Sequence, residues 1–337
     1  MTFCCPRGDV RVRWVPDYPS DLHHPLSRGD AALLGIGWRK LDGGLWRSPF
    51  RDVHVWSATD PHQALQRAYD AAALLPTAGA LGGWAACQVG GARELDGRGP
   101  SGQECRPVLA CLPRDLRIRR GPSIRPFRSH LDEADVTEVC GVRLTRPLRT
   151  AFDLARTEPF VEAVVAVDYL SRGRPEFLGD LLAYTRDHSS LKGSHRALAA
   201  VRRASPRSRS GGETRLRLLW TMDAGLPEPV VNPTVRLLDG FLLGMSDLLD
   251  PDLGLAGEYD GAGHRDPDQH ARDNVREEGF EGGGLIVVRF GGVDLGPARR
   301  RSLARLESGR RRARATAGQP RLWTWEEGPL PAPTPHW

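Results

Sequence analysis

The chain contains almost no lysine: its 47 basic residues include only Lys40 and Lys192. It also lacks any run of about 18 apolar residues, so the sequence predicts no membrane-spanning helix. The first residues lack the apolar core of a secretory signal peptide, so we expect a cytoplasmic protein. The six cysteines form no C-x-x-C pair and have no histidine at zinc-site spacing. Reduced thiols without zinc are therefore expected.

Arginine takes the place of lysine and gives the chain a net charge of +5. A basic balance is typical of proteins with acidic partners such as nucleic acid. An arginine bias beside abundant alanine, glycine and proline is also typical of GC-rich coding, whatever the function. The local signal is sharper, because residues 299–314 hold eight arginines and one acid, Glu307. This stretch predicts a helix that contacts phosphate or, alternatively, a solvated basic segment.

The length of 337 residues and the 40% hydrophobic content predict two or three domains. Changes in composition and periodicity divide the chain into an unstructured leader (1–30), a possible winged-helix or β-hairpin module (31–57), a mostly helical α+β middle domain (58–204), a polar linker (205–212), an α/β domain (213–306) and a basic, Pro-rich disordered tail (307–337). In the middle domain, Arg149 and Asp153 lie four residues apart, which predicts an exposed ion pair on a helix.

Two short predicted strands, 241–249 and 255–259, carry acids at or near their ends. The first contains Asp247, and the second contains Glu258 and leads into Asp260. Three acids on neighbouring strands would repel one another at neutral pH, and burying one of them is costly unless it is paired or holds a cation. A divalent metal removes this conflict, and hard oxygen ligands suit magnesium or manganese. The alternative is that these acids are the solvated ends of a hairpin.

The elements around these acids follow a recognisable order. Periodicity and turn residues predict a helix over 213–224, strands over 230–237 and 241–249 joined by the Asp239-Gly240 turn, a strand over 255–259, a helix over 268–280 and a strand over 285–290. We therefore expect an open mixed sheet flanked by two helices, in the order helix, three strands, helix, strand.

Six sequence runs in this region carry a family resemblance: ETRLRLL, VNPTVR, SDLLDP, GEYDGAGH, RDNVRE and LIVVRF. Together they resemble the domain of unknown function related to the very-short-patch mismatch endonuclease, which belongs to the PD-(D/E)XK, restriction-endonuclease-like superfamily. The resemblance covers about residues 205–306. It implies a restriction-endonuclease-like αβββαβ fold for residues 213–306, hydrolysis of phosphodiester bonds in DNA, and a Mg²⁺ or Mn²⁺ cofactor.

The resemblance also implies roles for individual residues. Asp247, Glu258 and the carbonyl of Tyr259 would hold the metal. Glu213 matches the acid of the first helix. Further polar residues fall around the site at Asp260, His264, Arg272, Asp273 and Arg276.

One position departs from the superfamily pattern. The third-strand motif usually ends in a lysine that orients the attacking water, and Asp260 stands at that position here. Neither lysine of the chain lies in the domain, so another group must handle the water. His264 is the best candidate, because imidazole titrates near neutral pH; alternatively, it is a surface loop histidine. Arg272 or Arg276 could stabilise phosphorane charge, but neither can act as a base.

The run FRDVHV, at residues 50–55, resembles the N-terminal module of AbiEi-type antitoxins and of actinobacterial relatives of the endonuclease-like family. The resemblance implies the wing of a winged helix-turn-helix, and a leftover β-hairpin is the alternative. Three functions follow for the whole chain: a DNA endonuclease, a catalytically inactive DNA-binding regulator or antitoxin-like module on the same fold, or a structural interaction protein. DNA is the expected partner of the first two, and the sequence carries no signal for an oligomeric state.

Overall fold

The computed structural model is of a mixed α/β protein with several sheets. It describes residues 25–99, 102–118, 121–261, 279–296, 298–316 and 318–337. The chain divides into two compact units, the first formed by Met1–Leu154 with Pro335–Trp337 and the second by Ala155–Thr334. Of the helices within the described ranges, none combines the length and the apolar character needed to cross a membrane.

The first unit begins with a small three-stranded sheet and two short helices. The elements are β1 (Leu26–Ser27), α1 (Arg28–Leu33), α2 (Trp38–Leu41), β2 (Trp46–Phe50) and β3 (Val53–Trp56). The strand order is β1-β3-β2. Within the segment 31–57 the structure has a β-hairpin, β2 with β3. Its turn lies at residues 51 and 52, not at Gly43-Gly44, and Trp38–Leu41 is helical. Residues 1–24 of the predicted leader lie outside the described residues.

A five-stranded sheet forms the body of the first unit, in the order β6-β5-β4-β8-β7. Its elements are α3 (Ala64–Ala72), β4 (Ala80–Gly82), α4 (Gly83–Val89), β5 (Val108–Leu112), β6 (Ile124–Arg128), β7 (Val136–Val139) and β8 (Val142–Thr145). The chain passes from β4 directly into α4 by turning at Gly83, where φ is +57°. Glycine adopts this left-handed conformation without the steric cost that a Cβ imposes. The middle region is therefore richer in strand than predicted.

The C-terminal residue of the sequence belongs to the core of the first unit. The Trp337 indole Nε1–H donates to the Thr145 carbonyl at 2.8 Å. Its ring also fills the space beside Gly90, where an added Cβ would lie 2.2 Å from the ring. The segment 307–337, predicted as a disordered tail, differs from that expectation in the structure because Trp323 and Trp337 pack against hydrophobic clusters.

Four helices, α5 (Pro147–Thr157), α6 (Phe160–Ser171), α7 (Pro175–Asp187) and α8 (Ser194–Val201), follow the five-stranded sheet. The ion pair predicted on α5 is present, with Arg149 Nε 2.9 Å from Asp153 Oδ2. Its predicted exposure is wrong: the side chains of Arg149 and Asp153 are 1% and 0% exposed. Arg149 also pairs with Asp135 at 2.7 Å, and this second carboxylate helps to offset the burial of the guanidinium.

The remaining elements form two sheets in the second unit. They are α9 (Gly211–Leu218) with a π-helical turn over Leu219–Asp223, β9 (Val230–Val231), β10 (Thr234–Leu237), β11 (Leu242–Met245), β12 (Leu248–Asp250), β13 (Leu255–Asp260), β14 (Ile286–Gly291), α10 (Arg299–Thr316) and β15 (Trp323–Glu326). One sheet has the order β14-β13-β12-β9 and the other β11-β10-β15. The first is mixed, since β13 and β14 are parallel and the other pairs antiparallel.

Each of the two predicted strands over 230–237 and 241–249 is split between these sheets. The hairpin at Asp239-Gly240 is confirmed as β10 and β11. The first split falls at Asn232-Pro233, because Asn232 has a φ of +53° and proline has no N–H for a strand ladder. The second split separates β11 from β12, so β12 joins the sheet that contains Glu258.

The predicted linker 205–212 packs inside the second unit, whereas the division between the units falls at Leu154 and Ala155. Its anchor is Asp168 of α6, which is 1% exposed. The Asp168 carboxylate accepts hydrogen bonds from Ser205 N (2.7 Å), Ser208 Oγ (2.9 Å), Thr214 Oγ1 (2.8 Å) and Arg217 NH2 (2.7 Å). A polar composition predicted a solvated linker, and one buried carboxylate gathers those polar groups instead.

Candidate functional site

Asp247 and Glu258 face each other across two neighbouring strands. Asp247 comes directly before β12, whose first residue pairs with Gly257 of β13. The Tyr259 backbone N–H donates to Asp247 Oδ2 at 2.7 Å, and the Asp247 N–H donates to Glu258 Oε1 at 3.3 Å. Since a residue's carboxyl oxygens lie within roughly 5 Å of its own nitrogen, the two carboxyl groups are less than about 10 Å apart. The structure brings this predicted pair together.

The two acids differ in their exposure to solvent. Glu258 is 3% exposed and follows the buried residues Leu255 and Ala256 on β13, whereas Asp247 is half-buried. A buried carboxylate is stable only when donors or a cation compensate the lost hydration. The pair therefore combines a buried carboxylate with one that solvent reaches. The carboxylate oxygens of both residues could bind a hard cation.

Glu213 lies in the first turn of α9 and stabilises the start of that helix. Its N–H donates to the N-cap Ser210 Oγ at 3.1 Å, and its Oε2 accepts from the Arg209 N–H at 2.9 Å. The Asn232 side-chain amide donates to the same Oε2 at 2.8 Å. A carboxylate near the positive end of a helix is favoured by the helix dipole. The geometry thus gives Glu213 a structural role beside its predicted place at the site.

Asn232 connects the elements of the site, and the sequence analysis did not identify it. Its backbone N–H donates to the Asp247 carbonyl at 2.9 Å. Its side-chain amide donates to Glu213, and also to the Arg207 carbonyl at 2.9 Å. The sequence signal was an asparagine before a proline, since asparagine tolerates the left-handed conformation better than other non-glycine residues.

We expect Asn232→Ala to lower the free energy of unfolding by about 1–3 kcal/mol, because Glu213 and the Arg207 carbonyl each lose a donor and because alanine tolerates φ > 0 less well than asparagine. Asn232→Gly removes the same amide and keeps the backbone freedom, so its loss should be smaller. Urea titration of both variants measures the difference. Equal losses would show that the left-handed backbone contributes nothing.

Asp260 lies at the exposed end of β13. Its carboxylate is 58% exposed, and Oδ2 lies 3.9 Å from Arg289 NH1 of the parallel strand β14. The Asp260 side chain, predicted to stand where the superfamily usually has lysine, is thus largely solvated. His264, Arg272, Asp273 and Arg276, together with most of the predicted helix 268–280, lie outside the described residues. Within the described ranges there is no group of three or more His, Cys, Asp or Glu side chains arranged to hold a metal.

The first turn of α9 packs closely on β13. A Cβ placed on Gly212 would lie 1.9 Å from Cε1 of the Tyr259 ring. Real Cβ atoms do not approach a carbon so closely, so the absence of a side chain at position 212 allows this approach. The contact joins the residue before Glu213 to the residue after Glu258.

Helix α10 carries a basic face. Three of its arginines are paired: Arg299 with Asp223, Arg305 with Asp294 and Arg310 with Glu307. The side chains of five exposed arginines make no hydrogen bond or ion pair to any described residue: Arg300, Arg301, Arg311, Arg312 and Arg314. At 100° per residue these five fall on one half of the helix. The buried residues Ser302, Leu306, Gly309 and Ala313 occupy the other half.

No protein-family model matches the chain, and no curated protein sequence is significantly similar to it.

Proposed function

We propose that the chain is a divalent-metal-dependent DNA endonuclease of the mismatch-endonuclease-like type, with residues 213–306 as its PD-(D/E)XK domain. The observation that supports the proposal is the pair of carboxylates Asp247, which directly precedes β12, and Glu258 of the adjacent strand β13. The Tyr259 N–H fixes Asp247 at 2.7 Å. Asp247, Glu258 and the Tyr259 carbonyl would hold Mg²⁺ or Mn²⁺.

The bound metal would supply Lewis acidity and a water of lowered pKa. Asp247 and Glu258 would hold the cation, and the hydrogen bond from the Tyr259 N–H holds the orientation of Asp247. His264 is our proposed acceptor of the water proton, since no lysine is present in the domain. The basic face of α10 would contact the phosphates of the duplex, which supplies affinity without sequence preference.

A catalytically inactive DNA-binding regulator is the second candidate. Two observations favour it: Asp260 at the usual lysine position, and the β1-β3-β2 sheet with two helices between β1 and β2. This order of elements suits a winged helix-turn-helix, a fold that binds duplex DNA. The two candidates differ in turnover, so an assay of strand cleavage separates them.

The deciding experiment measures nicking of a plasmid and of a mismatched duplex in Mg²⁺ and in Mn²⁺. We expect the wild type to nick and Asp247→Ala to lose at least about 100-fold of the rate, because the metal loses a charged ligand. Asp252→Ala is the matched control, since Asp252 is exposed on the turn after β12 and its charge does not face the pair. Calorimetry that detects no binding of either metal, with duplex binding unchanged in Asp247→Ala, would favour the regulator.

Asp260→Lys tests the departure from the superfamily pattern in the same assay. The Asp260 carboxylate is largely solvated, so we expect that it is not a metal ligand and that lysine at this position retains or raises the nicking rate. Loss of nicking together with loss of metal binding would instead make Asp260 a ligand.

A further inference from the structure

A cleft of about 870 Å³ opens in the second unit beside the sheet that carries the acids. It lies between the residues after α8, the start of β9 and the edge strand β15. Its volume falls within the roughly 300–1,000 Å³ range of small-molecule sites. The cleft is therefore large enough for a nucleotide and does not include either carboxylate of the pair.

The charges in the cleft leave two arginines available. Arg207 pairs with Glu327 and donates to the Gly328 carbonyl at 2.8 Å. Arg217 pairs with Asp168 at 2.7 Å and with Glu228 at 3.4 Å.

In contrast, Arg202 and Arg203 line the cleft, are exposed, and have no side-chain hydrogen bond or ion pair to a described residue. Two adjacent unpaired guanidinium groups present donors that match phosphate oxygens.

An aromatic surface faces the same space. Trp325 of β15 lines the cleft and is 37% exposed. Among the described residues its side chain has no hydrogen bond or ring contact. An exposed indole next to arginines is typical of proteins on which unpaired bases stack while the backbone follows positive charge. The cleft thus has arginine donors for a phosphate and an indole ring for a base.

The cleft is continuous with the candidate site through one strand. Val230 and Val231 of β9 line the cleft and pair with Leu249 and Leu248 of β12. The next residue, Asn232, donates its N–H to the Asp247 carbonyl at 2.9 Å. A strand of nucleic acid that leaves the cleft along β9 would therefore pass toward the acids.

We propose that this cleft binds an unpaired nucleotide of the DNA strand, with its base against Trp325 and its phosphate on Arg202 and Arg203. The inference deepens and rests on the proposed function, since it names the substrate as a strand that is locally unpaired next to the cleavage point. Duplex DNA without an unpaired base would not supply the face that stacks on the indole.

The test measures binding of a fluorescein-labelled dT12 oligonucleotide to the full chain in EDTA, by anisotropy, as a function of salt. Trp325→Leu should weaken binding by about 10-fold or more, and Trp325→Phe should recover most of it. Arg202→Ala with Arg203→Ala should weaken binding and lower the magnitude of the slope of log K against log salt by roughly 0.7, since the two arginines share one phosphate contact and each such contact on a single strand contributes about 0.7.

The matched control removes two positive charges elsewhere in the second unit. Arg186→Ala with Lys192→Ala changes exposed residues that do not line the cleft, and it should leave the slope nearly unchanged. An equal loss in this control, or wild-type binding in Trp325→Leu with an unchanged melting temperature, would overturn the proposal. Thymidine monophosphate that binds as tightly as dT12 would also overturn it, in favour of a free-nucleotide site.

Because the assay contains no metal, its outcome is independent of cleavage. Binding that depends on Trp325 without any nicking would support the cleft and remove the endonuclease. Nicking that depends on Asp247, with dT12 binding indifferent to Trp325, would do the reverse.

Discussion

Gly212→Ala is expected to damage the candidate site without changing any of its acids. The new Cβ would lie 1.9 Å from the Tyr259 ring, so either the ring or the first turn of α9 must move. We expect the free energy of unfolding to fall by about 1–3 kcal/mol, as for other insertions into packed contacts. Metal affinity should fall with it, because Tyr259 holds Asp247 through its N–H.

Two variants control this prediction. Gly179 lies inside helix α7 with nothing within 4 Å of an added Cβ, so Gly179→Ala should raise the free energy of unfolding by about 0.5–1 kcal/mol. Tyr259→Ala in the Gly212→Ala background removes the ring and keeps the backbone N–H, so it should recover part of the loss. Urea titrations and Mg²⁺ calorimetry measure both effects, and no recovery would mean that the steric contact is not the cause.

The second large effect is expected at Asp168. This carboxyl group is 1% exposed; burial raises its pKa, and Arg217, the Ser205 N–H and Thr214 act in the opposite direction. Asp168→Ala leaves the Arg217 guanidinium buried without its closest counter-charge. Breaking a buried pair in this way costs about 3–5 kcal/mol. We therefore expect the free energy of unfolding of Asp168→Ala to fall by about that amount.

Glu326→Ala is the comparison on the surface, since Glu326 is 59% exposed and pairs with Arg236 at 3.1 Å. An exposed pair contributes at most about 1 kcal/mol. Thermal or urea unfolding of the two variants gives the contrast. Similar losses in both would mean that solvent reaches Asp168 and that the buried network does not hold segment 205–212 in place.

Periodicity predicted many of the elements because their packing is local. The strand predicted over 255–259 is present as β13 with one added residue, and the hairpin predicted at Asp239-Gly240 is present as β10 and β11. The strand predicted over 241–249 is not continuous in the structure, where it is divided into β11 and β12. A window of alternating residues does not reveal that β11 and β12 belong to different sheets, because that choice depends on partners far along the chain, such as Trp325 opposite Val235.

Only part of the candidate site could be predicted from the sequence. Asp247 and Glu258 could be identified because a carboxylate within an apolar strand is costly and therefore conspicuous. Asn232 and Gly212 could not be identified in this way. The role of Asn232 depends on its contact with Glu213, and the role of Gly212 depends on the Tyr259 ring that packs where a side chain would be. Neither contact is visible in the sequence. The predicted linker failed as a description of packing because composition cannot anticipate the buried partner Asp168.

Trp337 has a consequence for the order of events during protein synthesis. Its indole donates to Thr145, which precedes it by 192 residues. At about 5–20 residues per second, the ribosome would add Trp337 roughly 10–40 s after Thr145. The N-terminal unit therefore waits, with the hollow at Gly90 unfilled, while the second unit is translated. Until then, the apolar residues against which Trp337 packs remain uncovered on the nascent unit.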